Sequence, residues 1–376
     1  AAVSDIIAQA VNDLTRKLKR MLGDIKADKD ESVALYLKNQ GNVQITVNGE
    51  RVRIQGRGGS EMRKVHTIEA KAGQEYEIEI SYSCQRGPAS LSFDLGIEEV
   101  ISAEKTVQNV ADADIVVFAG GIAPSLEGEE MPVSIPGFKG GDRTAIELPQ
   151  VQVDFIKALK AAGKKIVFVN YSGSAMGLAD IKDDCDAILQ AWYPGQEGGN
   201  AVASVLMGEY NPGGRLPVTF YSSTAQLPDF EDYSMKGRTY RYMTEKPLWE
   251  FGFGLGYSDM QYGKASISSK TVKEGRSVTL SVPVSNNGKM DGDEVVQVYI
   301  RRAGDSEGPK YALRSFKRVN VKAGTRQTVK LELDWDSFEW FDPNLNIMHT
   351  MAGKYDVLYG PSSDEDKLQK LTVTVK

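Results

Sequence analysis

Residues 115–143, IVVFAGGIAPSLEGEEMPVSIPGFKGGDR, decide how the rest of the chain is read. The run 115–118 is short, continuous, β-branched and aromatic, and Gly120-Gly121 bounds it. That pattern predicts a fully buried strand. In open α/β sheets the loops leaving the carboxyl ends of strands are where ligands bind. Glu127, Glu129 and Glu130 fall within four positions on such a loop, which then runs on for over a dozen residues to Asp142-Arg143. Structureless loops of that length are uncommon in compact domains and lean functional.

Outward from this stretch, strands alternate with helices over 101–221. A helix is expected over 148–162 with Gly163 as its stop, and a second buried strand over 166–171. A third strand follows over 187–192 and another helix over 199–207. Alternation of this kind predicts a mainly parallel sheet with helices packed on it. On the amino-terminal side the period switches to two. VALYLK, VQITVNGERVRI, KVHTIEA, YEIEISYS and SLSFDL between 33 and 97 read as about five antiparallel strands, and Asn48-Gly49 is a hairpin signal. The first 23 residues place Ile6, Ile7, Ala10, Val11, Leu14, Leu18, Met21 and Leu22 at three- and four-residue spacing, which predicts one amphipathic helix; 24–32 reads as a polar linker. On the carboxyl side 220–262 is irregular and rich in Pro, Tyr, Phe and Arg. The segment 265–376 returns to period two with regular turn signals, which predicts a β-sandwich of immunoglobulin or fibronectin type III kind.

Composition narrows the chemistry. A chain of 376 residues with 41% hydrophobic and 26% charged residues is expected to form two or three globular domains. A net charge of -6 argues against nucleic acid as a partner, and the basic cluster at 16–20 reads as the solvated face of a helix. No run approaches the ~20 apolar residues of a membrane span, and no signal-peptide pattern opens the chain. Cys84 and Cys185 lie far apart in segments read as different domains, which argues against a disulfide. His66 and His349 are the only histidines. Triads built on histidine and histidine-rich metal sites are therefore not expected, nor is a cofactor. Catalysis has to run on carboxylates, tyrosines or lysines.

The segment 191–220, AWYPGQEGGNAVASVLMGEYNPGGRLPVTF, resembles glycoside hydrolase family 3, the β-glucosidase and β-xylosidase family. The resemblance rests on Trp192, Pro194-Gly195, Gly198-Gly199, Gly208, Asn211-Pro212 and Gly214-Arg215-Leu216-Pro217. FGFGLGYS at 251–258 looks like the close of that family's second domain. VSNNGKMDGDEVVQVYI at 284–300 and GKYDVLYGPSS at 353–363 look like its fibronectin type III-like module. Residues 33–96 are similar to the latter part of a protective-antigen-like β module that some members carry. The resemblance implies four segments: an N-terminal helix and linker (1–32), a partial β module (33–97), an α/β sandwich domain (98–259) and a fibronectin type III-like domain (260–376).

It also implies hydrolysis of β-linked glucosides or xylosides with retention. An aspartate on a (β/α)8 barrel serves as nucleophile, and a glutamate of the α/β sandwich domain serves as acid/base. That glutamate falls on Glu127, with Glu129 as the alternative because the insert PVSIPGFKG blurs the count back from Asp142-Arg143. Asp142 and Arg143 either bond a substrate hydroxyl or pin the loop. Trp192 and Tyr193 either stack on a sugar or serve as core, and Arg238, Tyr240 and Arg241 either line a cleft or pack. The barrel and its nucleophile motif are missing from this chain. Val3-Ser4-Asp5 matches that motif only superficially, and 11–24 resembles instead the helix that leaves the barrel. The implied partners are a β-linked oligosaccharide and a barrel domain or second chain, and the implied location is secreted or periplasmic. The reading from a different class is a non-catalytic carbohydrate-binding or structural chain.

Overall fold

The computed structural model describes residues 19–54, 62–84, 89–97, 101–128, 130–131 and 133–376. They fall in two compact units, Ala1–Ser102 and Ala103–Lys376.

The described residues of the first unit form strands and turns without a helix. Its strands are β1 (Lys19–Lys26), β2 (Glu31–Gln40), β3 (Asn42–Val47), β4 (Glu50–Arg51), β5 (Arg63–Ala70), β6 (Glu75–Ser83) and β7 (Ser90–Ile97). They form two sheets, β1-β6-β3-β4 and β5-β2-β7. Period-two patterning sends Leu35, Leu37, Ile45, Ile68, Ile78, Ile80 and Leu91 into one core. Asn48 and Gly49 adopt positive φ of 50° and 80°, as a type I′ hairpin turn requires. Residues 19–23, the last part of the segment expected to be helical, are a strand instead. Lys19–Lys26 pairs antiparallel with β6 from Lys19↔Tyr82 to Lys26↔Glu75, and residues 1–18 lie outside the described part. A continuous ladder to a neighbouring strand outweighs a helical preference worth only tenths of a kcal/mol per residue, roughly. The same ladder takes in the first residues of the supposed linker.

The second unit opens with α1 (Ala103–Asn109) and a parallel sheet of β8 (Ile115–Gly121), β12 (Lys165–Tyr171) and β13 (Ala187–Gln190), in the order β13-β12-β8. Between β8 and α2 (Gln150–Ala161) the chain builds a small antiparallel meander of β9 (Ser134–Ile135), β10 (Phe138–Lys139) and β11 (Asp142–Arg143). The stretch read as a long structureless loop is thus folded back on itself. Gly141 makes this possible: its φ is 90°, and a Cβ there would stand 1.7 Å from the Gly128 carbonyl oxygen. Val153, Ile156 and Leu159 of α2 are buried in a core that includes Ile166 and Phe168 of β12. The expectation that 115–118 is fully buried does not hold. Ile115 and Val117 are 56% and 53% exposed, because alternate residues of a strand face opposite sides and α2 covers only the other face. Helix α3 (Ala179–Lys182) lies between β12 and β13, and α4 (Gly198–Leu206) and α5 (Thr239–Tyr242) follow β13.

The remainder is a two-sheet sandwich. One sheet holds β14 (Met260–Tyr262), β15 (Ser266–Ile267), β17 (Val278–Asn286) and β20 (Arg326–Leu333). The other holds β16 (Thr271–Val272), β18 (Gly292–Arg302), β19 (Ala312–Val321), β23 (Gly353–Gly360) and β24 (Gln369–Val375), and β21 (Glu339–Asp342) with β22 (Ile347–Thr350) forms a side hairpin. Their facing side chains, among them Leu280, Val282, Val298, Leu331, Tyr355 and Val373, make one core with Phe338 from the turn before β21. The architecture is an α/β sandwich domain with an N-terminal β module and a C-terminal fibronectin type III-like sandwich.

Two buried clusters join the α/β part to the sandwich. Arg215 donates from Nη2 to Glu294 Oε2 at 3.0 Å, and the Tyr262 hydroxyl donates to Glu294 Oε1 at 2.9 Å. Tyr240 stacks on Phe251 and packs against Tyr299 and Tyr311. Tyr240 therefore packs at this joint, and it also borders a cavity of about 190 Å³ together with Met243, Lys310 and Tyr311. The Arg215-Leu216-Pro217 motif serves the joint between the two parts.

Candidate active site

Glu127 sits on the loop leaving β8, with its side chain 19% exposed. The Tyr193 hydroxyl, on the loop leaving β13, donates to Glu127 Oε2 at 2.7 Å. From the end of the meander, Arg143 brings its Nε to 3.8 Å from Glu127 Oε1. Three segments separated in sequence therefore converge on one carboxyl at the carboxyl ends of the parallel strands, the place where open α/β sheets bind ligands.

The guanidinium of Arg143 is locked. Its Nε donates to the Ala145 carbonyl at 3.2 Å, and its Nη1 donates to Ser174 Oγ at 2.9 Å and to the Ala175 carbonyl at 3.2 Å. Nη2 is buried and without a protein partner. Burial pulls the Arg143 guanidinium below its ordinary value, and the charges of Glu127 and then Glu147 partly offset this. Below Ser174 a polar network closes the strand ends: Asn170 donates to Gln190 Oε1 at 2.6 Å, Gln190 donates to Ser172 Oγ at 3.0 Å, and Ser172 donates to the Ser174 carbonyl at 2.8 Å. Burial pushes the Tyr193 phenol up to about 12, with the hydrogen bond to Glu127 and the Glu127 charge adding to it.

Of the residues singled out from sequence, Glu127, Arg143 and Tyr193 come together. Glu129 lies outside the described residues. Asp142 is exposed, and its neighbour Arg143 turns to Glu127, the Ser174 hydroxyl and the Ala175 carbonyl. Trp192 is half-buried and meets Phe220 edge-on, with ring centroids 6.1 Å apart. Sequence reasoning passed over Glu147, which accepts from the Thr224 amide and hydroxyl, both at 2.6 Å. Burial pushes this carboxyl up, but the Thr224 bonds outweigh it and hold Glu147 below its ordinary range. Serine and glycine at strand ends, Ser172-Gly173-Ser174, were the only signal for the platform under Arg143. Among the described residues no group of three or more His, Cys, Asp or Glu side chains is placed to hold a metal ion, and no helix is long and apolar enough to cross a membrane. A cavity of about 430 Å³ lies elsewhere, lined by Arg215, Phe253, Tyr262 and Glu294 at the joint with the sandwich.

The class of fold is an α/β domain with a carboxyl at its strand ends, followed by a fibronectin type III-like sandwich. The model for the glycosyl hydrolase family 3 C-terminal domain matches residues 25–257, and that for a fibronectin type III-like domain matches 294–363. The chain belongs to glycosyl hydrolase family 3. It is 47% identical over 340 residues to a xylan 1,4-beta-xylosidase of Xylanibacter ruminicola, covering 90% of this chain and 39% of that protein. It is 34% identical over 273 residues to a periplasmic beta-glucosidase of Salmonella typhimurium, covering 69% and 34%. Among solved structures, the beta-glucosidase of Kluyveromyces marxianus in complex with glucose superposes with a TM-score of 0.68 at 25% identity, covering 96% of this chain and 44% of that one. A β-glucosidase of Erythrobacter marinus gives 0.63 at 33% identity, covering 73% and 36%. The chain thus spans about two-fifths of the length of the curated relatives it matches.

Proposed function

We propose that this chain is the C-terminal part of a retaining β-glycosidase, that Glu127 is its acid/base, and that a nucleophilic carboxylate comes from a barrel domain or second chain outside this sequence. The observation that carries the reading is the convergence of Tyr193 and Arg143 on Glu127 at the strand ends. In a retaining mechanism two carboxyls stand ~5–5.5 Å apart across the glycosidic bond. The protonated one gives its proton to the leaving oxygen while the other attacks the anomeric carbon; the first then takes a proton from water as the glycosyl-enzyme is hydrolysed. Among the described residues Glu127 is held by a phenol and a guanidinium, neither of which is such a nucleophile. The substrate class in this proposal is a β-linked xyloside ahead of a β-linked glucoside, supported by the 47% identity to a protein named xylan 1,4-beta-xylosidase. Asp142, exposed on β11, is the polar candidate for a subsite contact. A secreted or periplasmic location belongs to the same proposal, supported by the likeness to a periplasmic beta-glucosidase.

The test assays the chain alone on aryl β-xyloside and aryl β-glucoside. The expected result is no hydrolysis above background; clear turnover would mean that this chain carries its own nucleophile. In the longer glycosidase Glu127→Gln should lower kcat on unactivated glycosides by about 10²–10⁴-fold, the usual share of general acid–base catalysis.

A further inference from the structure

Trp192 has φ of 58°. For a bulky non-glycine residue this is a backbone outlier, and such residues persist only where their surroundings hold them. Here the hold is the fully buried Phe220, against which the Trp192 ring packs edge-on at an interplanar angle of 74°. The reversal at Trp192 sends Tyr193 back over the next strand end. Its ring lies so close to Gly173 that a Cβ there would stand 2.7 Å from Tyr193 Cε2. A strained residue, an aromatic seat and a side-chain-free floor together aim one hydroxyl at one carboxyl oxygen.

We propose that Tyr193 is the positioning residue for the Glu127 carboxyl and selects which of its oxygens carries the transferable proton. The inference rests on the acid/base reading of Glu127. Because the phenol donates to Oε2 at 2.7 Å, that oxygen is occupied as an acceptor and the acidic proton resides on Oε1. Arg143 does not compete for Oε1 by direct donation: its Nε stands 3.8 Å away and, with Nη1, is committed to Ala145, Ser174 and Ala175. The Tyr193 proton itself stays in place, since burial and then Glu127 push the phenol up to about 12, so it is a donor in both half-reactions. In the first, the Oε1 proton passes to the glycosidic oxygen as that oxygen takes the electron pair of the breaking bond and the nucleophile bonds to the anomeric carbon. In the second, a water oxygen bonds to that carbon, its proton passes to Oε1, and the nucleophile leaves as carboxylate.

The experiment has two arms. In the longer glycosidase, kcat/KM is measured for a series of β-xylosides running from alkyl to 2,4-dinitrophenyl leaving groups. Tyr193→Phe should lose about tenfold or more on alkyl glycosides, the scale of one hydrogen bond to a charged group, and under about twofold on the dinitrophenyl glycoside. Gly173→Ala, which keeps the phenol but pushes its ring aside, should show the same leaving-group dependence. An equal loss across the series, or a rise in KM alone, would make Tyr193 a sugar contact or a packing residue and overturn the proposal. Glu127→Ala run beside them separates the two claims: if its loss does not depend on the leaving group, the acid/base reading falls on its own account. The second arm uses the present chain with 13C-labelled glutamate at pH 7. The side-chain carboxyl resonance that disappears in Glu127→Gln should be displaced in Tyr193→Phe and in Gly173→Ala, and an unmoved resonance in Tyr193→Phe would contradict the contact.

Discussion

Strands β8 and β17 are both short β-branched runs, yet they end in opposite circumstances. In β17 every second residue, Val278, Leu280, Val282 and Val284, is at most 3% exposed, because a second sheet closes over that face. In β8 the residues on one face, Ile115 and Val117, are 56% and 53% exposed, while Phe118 on the other packs toward Phe168. Helix α4 behaves like β8: Gly198 is its only buried residue, and Leu206 and Met207 at its end are 36% and 76% exposed. The sandwich is a closed core supplied wholly by 260–376. The α/β part is a sheet with one face covered and the other, at Ile115 and Val117, open.

The sharpest way to break this comparison is at the joint between the two parts. Glu294→Gln leaves Arg215 buried with its charge uncompensated, and should cost about 3–5 kcal/mol in urea unfolding; the side chains concerned are 3% and 11% exposed. A loss near zero would mean that the sandwich and the α/β part do not depend on this pair. Next in size is Leu280→Ala in the closed core, with an expected loss of about 2–5 kcal/mol by the same measurement. A smaller effect should come from acid. Burial pushes the Asp356 carboxyl up, but the Arg301 and Thr372 hydrogen bonds outweigh it and hold it below its ordinary value of 3.8. A carboxyl depressed in the folded state adds stability that is complete above its unfolded pKa and is lost as pH falls through its folded one. The melting temperature should therefore be flat above about pH 5 and fall below pH 4, with Asp356→Asn flattening part of that fall. The smallest effect belongs to β8: Val117→Ala should change stability by no more than about 0.5 kcal/mol. A loss equal to that at Leu280 would erase the distinction between covered and uncovered sheet.

Much of the fold is legible in the order of residues. Period two in 33–97 and 265–376, the apolar runs at 115–118 and 166–171, Gly163 after α2 and Asn48-Gly49 in its hairpin each act over a few positions, and local chemistry decides them. The strand Lys19–Lys26 was hidden because its register, from Lys19↔Tyr82 to Lys26↔Glu75, is set by the distant strand β6 against a local helical period. The partial exposure of β8 was hidden because an apolar run states that a strand can be buried and is silent on how many faces find cover. At the site, the acidic loop is visible in sequence. The partners of Glu127 are not: Tyr193 lies 66 residues on, Arg143 arrives only because the meander folds back, and the backbone reversal at Trp192 has no sequence signal beyond an aromatic at a strand end. The Arg215–Glu294 pair, 79 residues apart, was legible only as a glycine-rich motif with a conspicuous arginine.

The most direct test of the central claim is azide rescue of Glu127→Ala in the longer glycosidase, followed with a 2,4-dinitrophenyl β-xyloside. Removing an acid/base leaves formation of the glycosyl-enzyme from an activated substrate largely intact and stalls its hydrolysis, and azide needs no general base to attack it. The account predicts that azide raises the steady-state rate and that the product is the β-xylosyl azide. A variant that turns over like the parent enzyme without azide, or that azide does not accelerate, would contradict it.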